Sequence, residues 1–89
     1  MNSLNNKVAY ITGGSKGIGY GIAKTLIDLG MKVAISSRHL SAAKEAASSI
    51  SNDQSKVLAI QSDVSVMANE KEAVQQVIAR FGQLDVLIA

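Results

Sequence analysis

Eighty-nine residues predict an α/β fold, a doubly wound parallel sheet with strand order 3-2-1-4, on three observations. Four short runs rich in Val and Ile alternate with three segments of helical period, and no proline or low-complexity linker interrupts them. None of the four runs shows the clean polar alternation of a half-solvated strand. Regular alternation of strand and helix means parallel strands joined by helical crossovers, and strands apolar on both faces are those that helices cover from both sides.

The first strand is read over Val8–Ile11 and the second over Lys32–Ser36, with the third over Lys56–Ile60 and the fourth over Asp85–Ile88. The first helix opens at Ile18, places Ile22, Leu26 and Leu29 on the same face, and stops at Gly30, a good residue just past a helix end. An alanine-rich second helix follows, with Ala43, Ala46, Ala47 and Ile50 on one face and Ser41 as its N-cap. The third carries Val74, Val77, Ile78 and Phe81 at the i, i+3, i+4, i+7 spacing and ends at Gly82. Its start is expected near Asn69, where Glu72 completes a capping-box pattern, or earlier at Ser65. A β-α-β-α-β unit plus one further α-β step puts the ligand crevice at the switch between strands one and four.

Composition limits the chemistry. There is no Cys and a single His, which excludes disulfides and thiolate sites and argues against structural zinc, so no metal site is expected. A formal charge of +2 is too small and too dispersed for a nucleic-acid or membrane-surface protein. No apolar run reaches the length of a membrane span, and residues 1–6 lack the basic and apolar regions of a leader, so the expectation is a natural amino terminus and a cytoplasmic location.

Chemistry concentrates between the first strand and the first helix, where Thr12-Gly13-Gly14-Ser15-Lys16-Gly17-Ile18-Gly19 stands. A strand that ends in glycines and feeds straight into a helix leaves the helix's first N–H groups unpaired at the turn, where the macrodipole also favours an anion. Gly13 and Gly17 permit the sharp turn and close approach to a pyrophosphate, and Gly19 permits close helix-to-strand packing. The spacing is not that of a Walker A loop, because Lys16 is followed by Gly17 and not by Ser or Thr.

Thr-Gly-x-x-x-Gly-Ile-Gly closely resembles the cofactor motif of the short-chain dehydrogenase/reductase family. Further matches follow in order: Ser36-Ser37-Arg38 after the second strand, Asp63-Val64 after the third, and Phe81-Gly82-Gln83-Leu84-Asp85-Val86-Leu87-Ile88 leading into the fourth. Together they run from about Lys7 to the end of the chain. The resemblance implies a Rossmann-type domain of which residues 1–89 are the amino-terminal cofactor-binding part, ending after the fourth strand. It also implies an NADP(H)-dependent oxidoreductase acting on a carbonyl or alcohol substrate, most similar to bacterial 3-oxoacyl-carrier-protein reductases and homo-oligomeric at full length. Ala89 matches only the first position of the family's Asn/Ala-Asn-Ala-Gly motif, and the family's catalytic residues lie beyond it, so no catalytic residue is assigned here. A different reading is a dinucleotide-binding module without catalysis, completed by another chain or used as a sensor.

The choice of cofactor turns on the residues just past the second strand. An acid there would bind a ribose 2′-hydroxyl and repel a 2′-phosphate, yet the segment is Ser36-Ser37-Arg38-His39. Arg38 lies nineteen residues beyond Gly19, and a guanidinium both pairs with phosphate and stacks on adenine. By the resemblance, a basic residue at Lys16 and another at Arg38 are the usual pair that recognises NADP. Ser15 and Ser37 are expected to add hydrogen bonds to the same phosphate, while His39 is read as a solvated loop residue. Asp63 has two readings, a cap for the turn before the third helix or, by resemblance, the acceptor of the adenine amino group, with Val64 lining the adenine pocket. Asp85, at the amino end of its strand, is read as structural.

Tyr20-Gly21-Ile22-Ala23-Lys24 matches the Tyr-x-x-x-Lys spacing of the family's catalytic pair. Its place, on the helix directly after the glycine turn, is wrong for that role, because a helix running away from the pyrophosphate cannot bring the pair to a nicotinamide. Tyr10 is expected in the core.

Overall fold

A computed structural model describes residues 4–89; residues 1–3, part of the segment read as lacking a leader, lie outside the described residues. Strands β1 (Val8–Ile11), β2 (Lys32–Ser37), β3 (Val57–Gln61) and β4 (Val86–Ile88) form one parallel sheet in the order β3-β2-β1-β4. Helices α1 (Gly17–Asp28), α2 (Leu40–Ile50) and α3 (Met67–Phe81) connect them. The expected fold class and strand order are what the chain adopts.

The two-residue period of a strand sorts the apolar runs between two faces. Ala9, Ile11, Val33, Ile35 and Val57 face one way, where Ala23 of α1 and Ala46, Ala47 and Ile50 of α2 cover them. Val8, Tyr10, Ala34 and Ile60 face the other, under Ala73 and Val77 of α3. Each fully buried Val, Ile or Leu contributes about 1.5–3 kcal/mol, which makes these two thin layers the main source of stability. With small alanines on the helices, the backbones can approach the sheet closely.

Several boundaries differ from the expectation, for identifiable reasons. β3 and β4 each begin one residue later than read, at Val57 and Val86, and β2 extends to Ser37. Ile18 is 84% exposed, because the first turn of α1 carries it off the inward face, where Ala23 is the buried residue. Leu29 and Ile78 are likewise exposed at the margins of their helices. Ser41 is not a cap: α2 starts at Leu40 from an extended His39, without a side-chain cap. Neither Asn69 nor Ser65 opens α3, which starts at Met67 from an extended Val66. Asn69 and Ser65 have other partners, described below. Gly30 and Gly82 end α1 and α3 at φ +90° and +82°, as read.

Asp85 has the structural role read for it. Its Oδ2 accepts from the Val8 N–H at 2.8 Å and from the Gln83 amide at 2.7 Å, while its own N–H donates to the Val8 carbonyl at 2.9 Å. One carboxylate thereby sets the start of β1 against the residue that precedes β4.

Candidate functional site

The site grows out of the end of β1. Thr12 ties the turn to β4, its N–H donating to the Ile88 carbonyl at 2.9 Å. After it the glycines divide into two kinds. At Gly13 and Gly17, φ is +68° and +66°, and a Cβ would meet nothing within 4 Å, so their outer side is open to a ligand. At Gly14 a Cβ would stand 2.7 Å from Ile35 Cγ2, and at Gly19 it would stand 3.1 Å from Gly14 Cα and 3.2 Å from the Gly13 carbonyl. Gly19 thus permits the close helix approach expected of it. Gly14 was not singled out by its spacing; the packing against Ile35 is what requires it. α1 then starts at Gly17 from an extended Lys16 with no side-chain cap, which leaves its first N–H groups to water or an anion.

A groove of about 250 Å³ lies at the carboxyl ends of the strands. It brings together Gly13, Ser15 and Lys16 from the turn, Ser37 and Arg38 from the end of β2, and Val64 from beyond β3. Val64 is 61% exposed, an apolar surface offered to the groove. Gly17, Ile18 and Gly19 shape the turn beside the groove without lining it, and the Asp63 side chain is turned to its own loop. The walls also include His39, read as a plain loop residue, and Ser62, which carried no expectation. No carboxylate is among these lining residues.

Asp63 behaves as a turn cap. Its Oδ1 accepts from the Ser65 hydroxyl at 2.7 Å and the Ser65 N–H at 2.9 Å, and its own N–H donates to Asn69 Oδ1 at 3.2 Å. The Ser65 hydroxyl and then the Ser65 amide hold its carboxyl below the ordinary aspartate range, and the Arg38 charge adds to this. Both Ser65 bonds fall on Oδ1, so Oδ2 takes no part in them.

Below the groove lies a polar cluster that the motifs did not indicate. Ser36 and Ser62 are buried, Ser36 Oγ accepting from the Gly13 N–H at 3.3 Å and Ser62 Oγ donating to Glu70 Oε1 at 2.8 Å. The Tyr10 hydroxyl donates to the same carboxylate, at 3.2 Å to Oε1 and 3.3 Å to Oε2. Burial pushes the Tyr10 hydroxyl above its ordinary value, the Ser36 and Ser62 hydroxyls oppose the rise, and Glu70 reinforces it. Tyr10 is therefore a core residue, as read, but one with a polar partner. Tyr20 is engaged elsewhere, its hydroxyl 2.6 Å from Ser49 Oγ of α2, and Lys24 is exposed.

The donor set fits a dinucleotide's adenosine phosphate. Two flexible cations meet Ser15, Ser37 and Ser62 on a groove whose turn has space where a Cβ would project, and Val64 adds an apolar side chain for a base. Comparison with known proteins bears on the family. A 3-oxoacyl-(acyl-carrier-protein) reductase of Chlamydia muridarum is 42% identical over 90 residues, covering 99% of this chain and 36% of its own. A hydroxynaphthalene reductase of Aspergillus fumigatus is 38% identical over 87 residues, covering 97% of this chain and 32% of its own. Among solved structures, the 3-ketoacyl-(acyl-carrier-protein) reductase of Brucella melitensis complexed with NADH superposes with a TM-score of 0.86 at 38% identity, over 96% of this chain and 34% of that one. This chain spans about a third of the length of these relatives. The sequence profile of the short chain dehydrogenase family matches residues 7–89. With strand order, glycine turn and profile in agreement, the chain belongs to the short-chain dehydrogenase/reductase family, oxidoreductases that use nicotinamide dinucleotides.

Proposed function

We propose that this chain holds the adenosine and pyrophosphate end of NADP(H) in an oxidoreductase for carbonyl or hydroxyl substrates. The observation that carries the reading is the meeting of Lys16 and Arg38 on one groove with no carboxylate among its lining residues. When bound, the cofactor exchanges hydride between C4 of its nicotinamide and the substrate carbon. The glycine turn admits the pyrophosphate, Lys16 and Arg38 neutralise the 2′-phosphate, Ser15 and Ser37 donate to it, and Val64 contacts the adenine. Asp63 has Oδ2 for the adenine amino group while Oδ1 keeps the turn.

Each charge-assisted hydrogen bond contributes about 1.5–3 kcal/mol before solvent screening. Two such contacts favour NADPH over NADH by about tenfold or more. Titration of the longest open reading frame that contains these residues, with both cofactors, is the test. NADPH is expected to bind more tightly, and Arg38→Ala to narrow the difference. Equal dissociation constants, or tighter NADH, would overturn the assignment.

A further inference from the structure

We propose that Glu70, together with Tyr10, is a positioning residue for the dinucleotide groove, fixing through Ser62 the wall that receives the adenosine end; this rests on the groove reading above.

Three elements converge on one carboxylate. Ser62, 2% exposed and part of the groove wall, donates from the end of β3 to Glu70 Oε1 at 2.8 Å. Tyr10, with no exposed surface, donates from β1 to both carboxylate oxygens. Glu70 itself stands in the first turn of α3, next to Asn69, whose Oδ1 accepts the Asp63 N–H at 3.2 Å. Adjacent residues of one helix therefore hold consecutive residues, Ser62 and Asp63, just ahead of Val64. The other side of Ser62 is held as well, its N–H donating to the Ser37 carbonyl at 2.9 Å. Ser37 and Val64 both line the groove.

Tyr10 lies in an apolar layer with Val8, Ala34, Ile60, Ala73 and Val77, and the half-buried Glu70 carboxylate meets it at the margin of that layer, with Lys71 and Gln75 on the solvent side. A buried phenol carries a desolvation cost that hydrogen bonds only offset, and an apolar pair at Tyr10 and Glu70 would pack at least as well. What an apolar pair could not do is specify where Ser62 and the β3–α3 turn sit relative to β1. Side chains of Phe and Leu slide; a carboxylate bonded from β1 and β3 at once sets one register. The glycine turn is joined to the same region through the Ser36 hydroxyl, which accepts the Gly13 N–H. The two halves of the groove are thus held to one polar centre.

The test uses adenosine 2′,5′-bisphosphate as the probe, with calorimetric titration and thermal denaturation on the same samples of the longest open reading frame that contains the chain. Glu70→Gln and Tyr10→Phe change neither a groove-lining side chain nor, appreciably, the packed volume. Both are expected to weaken the probe by about three- to tenfold, and the double variant to lose little more than Glu70→Gln alone, since Tyr10 acts through Glu70. A merely structural role would lower the melting temperature and leave the dissociation constant of the folded protein unchanged. That result in both variants, beside an unsubstituted protein that binds, would overturn this inference alone. No binding by the unsubstituted protein would overturn the groove reading and this inference with it. Should Glu70→Gln fail to fold, Tyr10→Phe decides by itself.

Discussion

Gly17 has φ +66° and open space where a Cβ would project, while a Cβ on Gly14, three residues earlier, would stand 2.7 Å from Ile35 Cγ2. The two glycines should therefore fail differently when replaced. Gly17→Val puts a branched side chain in the space the pyrophosphate needs and strains the backbone by about 1–3 kcal/mol, so it is expected to abolish dinucleotide binding while the fold survives. Gly14→Ala forces β2 and the turn apart and is expected to lower the melting temperature sharply. Circular dichroism with cofactor titration separates the two; unchanged affinity in Gly17→Val would mean that the phosphate lies elsewhere. The open glycines were legible because they follow a strand and precede a helix at a known spacing. Gly14 was not, since its need arises from Ile35, a residue distant in sequence. The Glu70 cluster was equally hidden by motif reading, although one signal was available. Glu70 continues the inward stripe of Ala73, Val74 and Val77 back to the start of α3, and a carboxylate on such a stripe requires a buried partner.

The elements themselves were legible in proportion to how locally they are determined. Four Val- and Ile-rich runs gave four strands to within a residue, because each opens at or just after a polar residue, in buried β1 and β2 and exposed β4 alike. The start of α1 was legible to within a residue, Ile18 against Gly17, but those of α2 and α3 were not. These begin from extended His39 and Val66 with no side-chain cap, so the Ser41 signal fell on a residue inside α2 and the Ser65 and Asn69 signals on residues bonded to Asp63. At the other end of the sheet, Asp85 acts as the clamp between β1 and β4. The Val8 N–H and then the Gln83 amide hold its carboxyl below the ordinary aspartate value. A group depressed in the folded state binds fewer protons there than when unfolded. Its contribution is therefore complete above the ordinary value of about 3.9 and is lost as pH falls through that value toward the depressed one. Asp85→Asn is expected to lower stability at neutral pH and to flatten the decline that sets in as pH falls below about 4. Denaturant midpoints across that range check it; parallel curves for the two proteins would remove Asp85 from the account.

At the scale of the whole molecule, β4 is a sheet edge that pairs, among the described residues, only with β1, and it is apolar. Leu87 is 56% exposed and Met67 80%, and the two meet Val74 around a groove of about 400 Å³ on the α3 side of the sheet. Glu70, Lys71 and Gln75 complete the groove lining, but the edge strand itself is uncharged, and an uncharged open edge beside exposed apolar side chains recruits other chains. The relatives that share this sheet are about three times as long. We expect the isolated 89-residue chain to self-associate or to be weakly stable, and Leu87→Lys to reduce association by placing charge on the edge. The same sample should be inactive in hydride transfer, because both tyrosines are committed away from the groove, Tyr10 to Glu70 in the core and Tyr20 to Ser49 on the helix layer. Without a proton donor beside the reacting carbon, binding of the cofactor alone leaves a carbonyl unreduced. Size-exclusion chromatography over a concentration series and an NADPH-oxidation assay test the two expectations together. A stable monomer that turns over a carbonyl substrate would mean that these residues supply a proton donor of their own, and the Tyr20–Ser49 contact would then have to open to provide it.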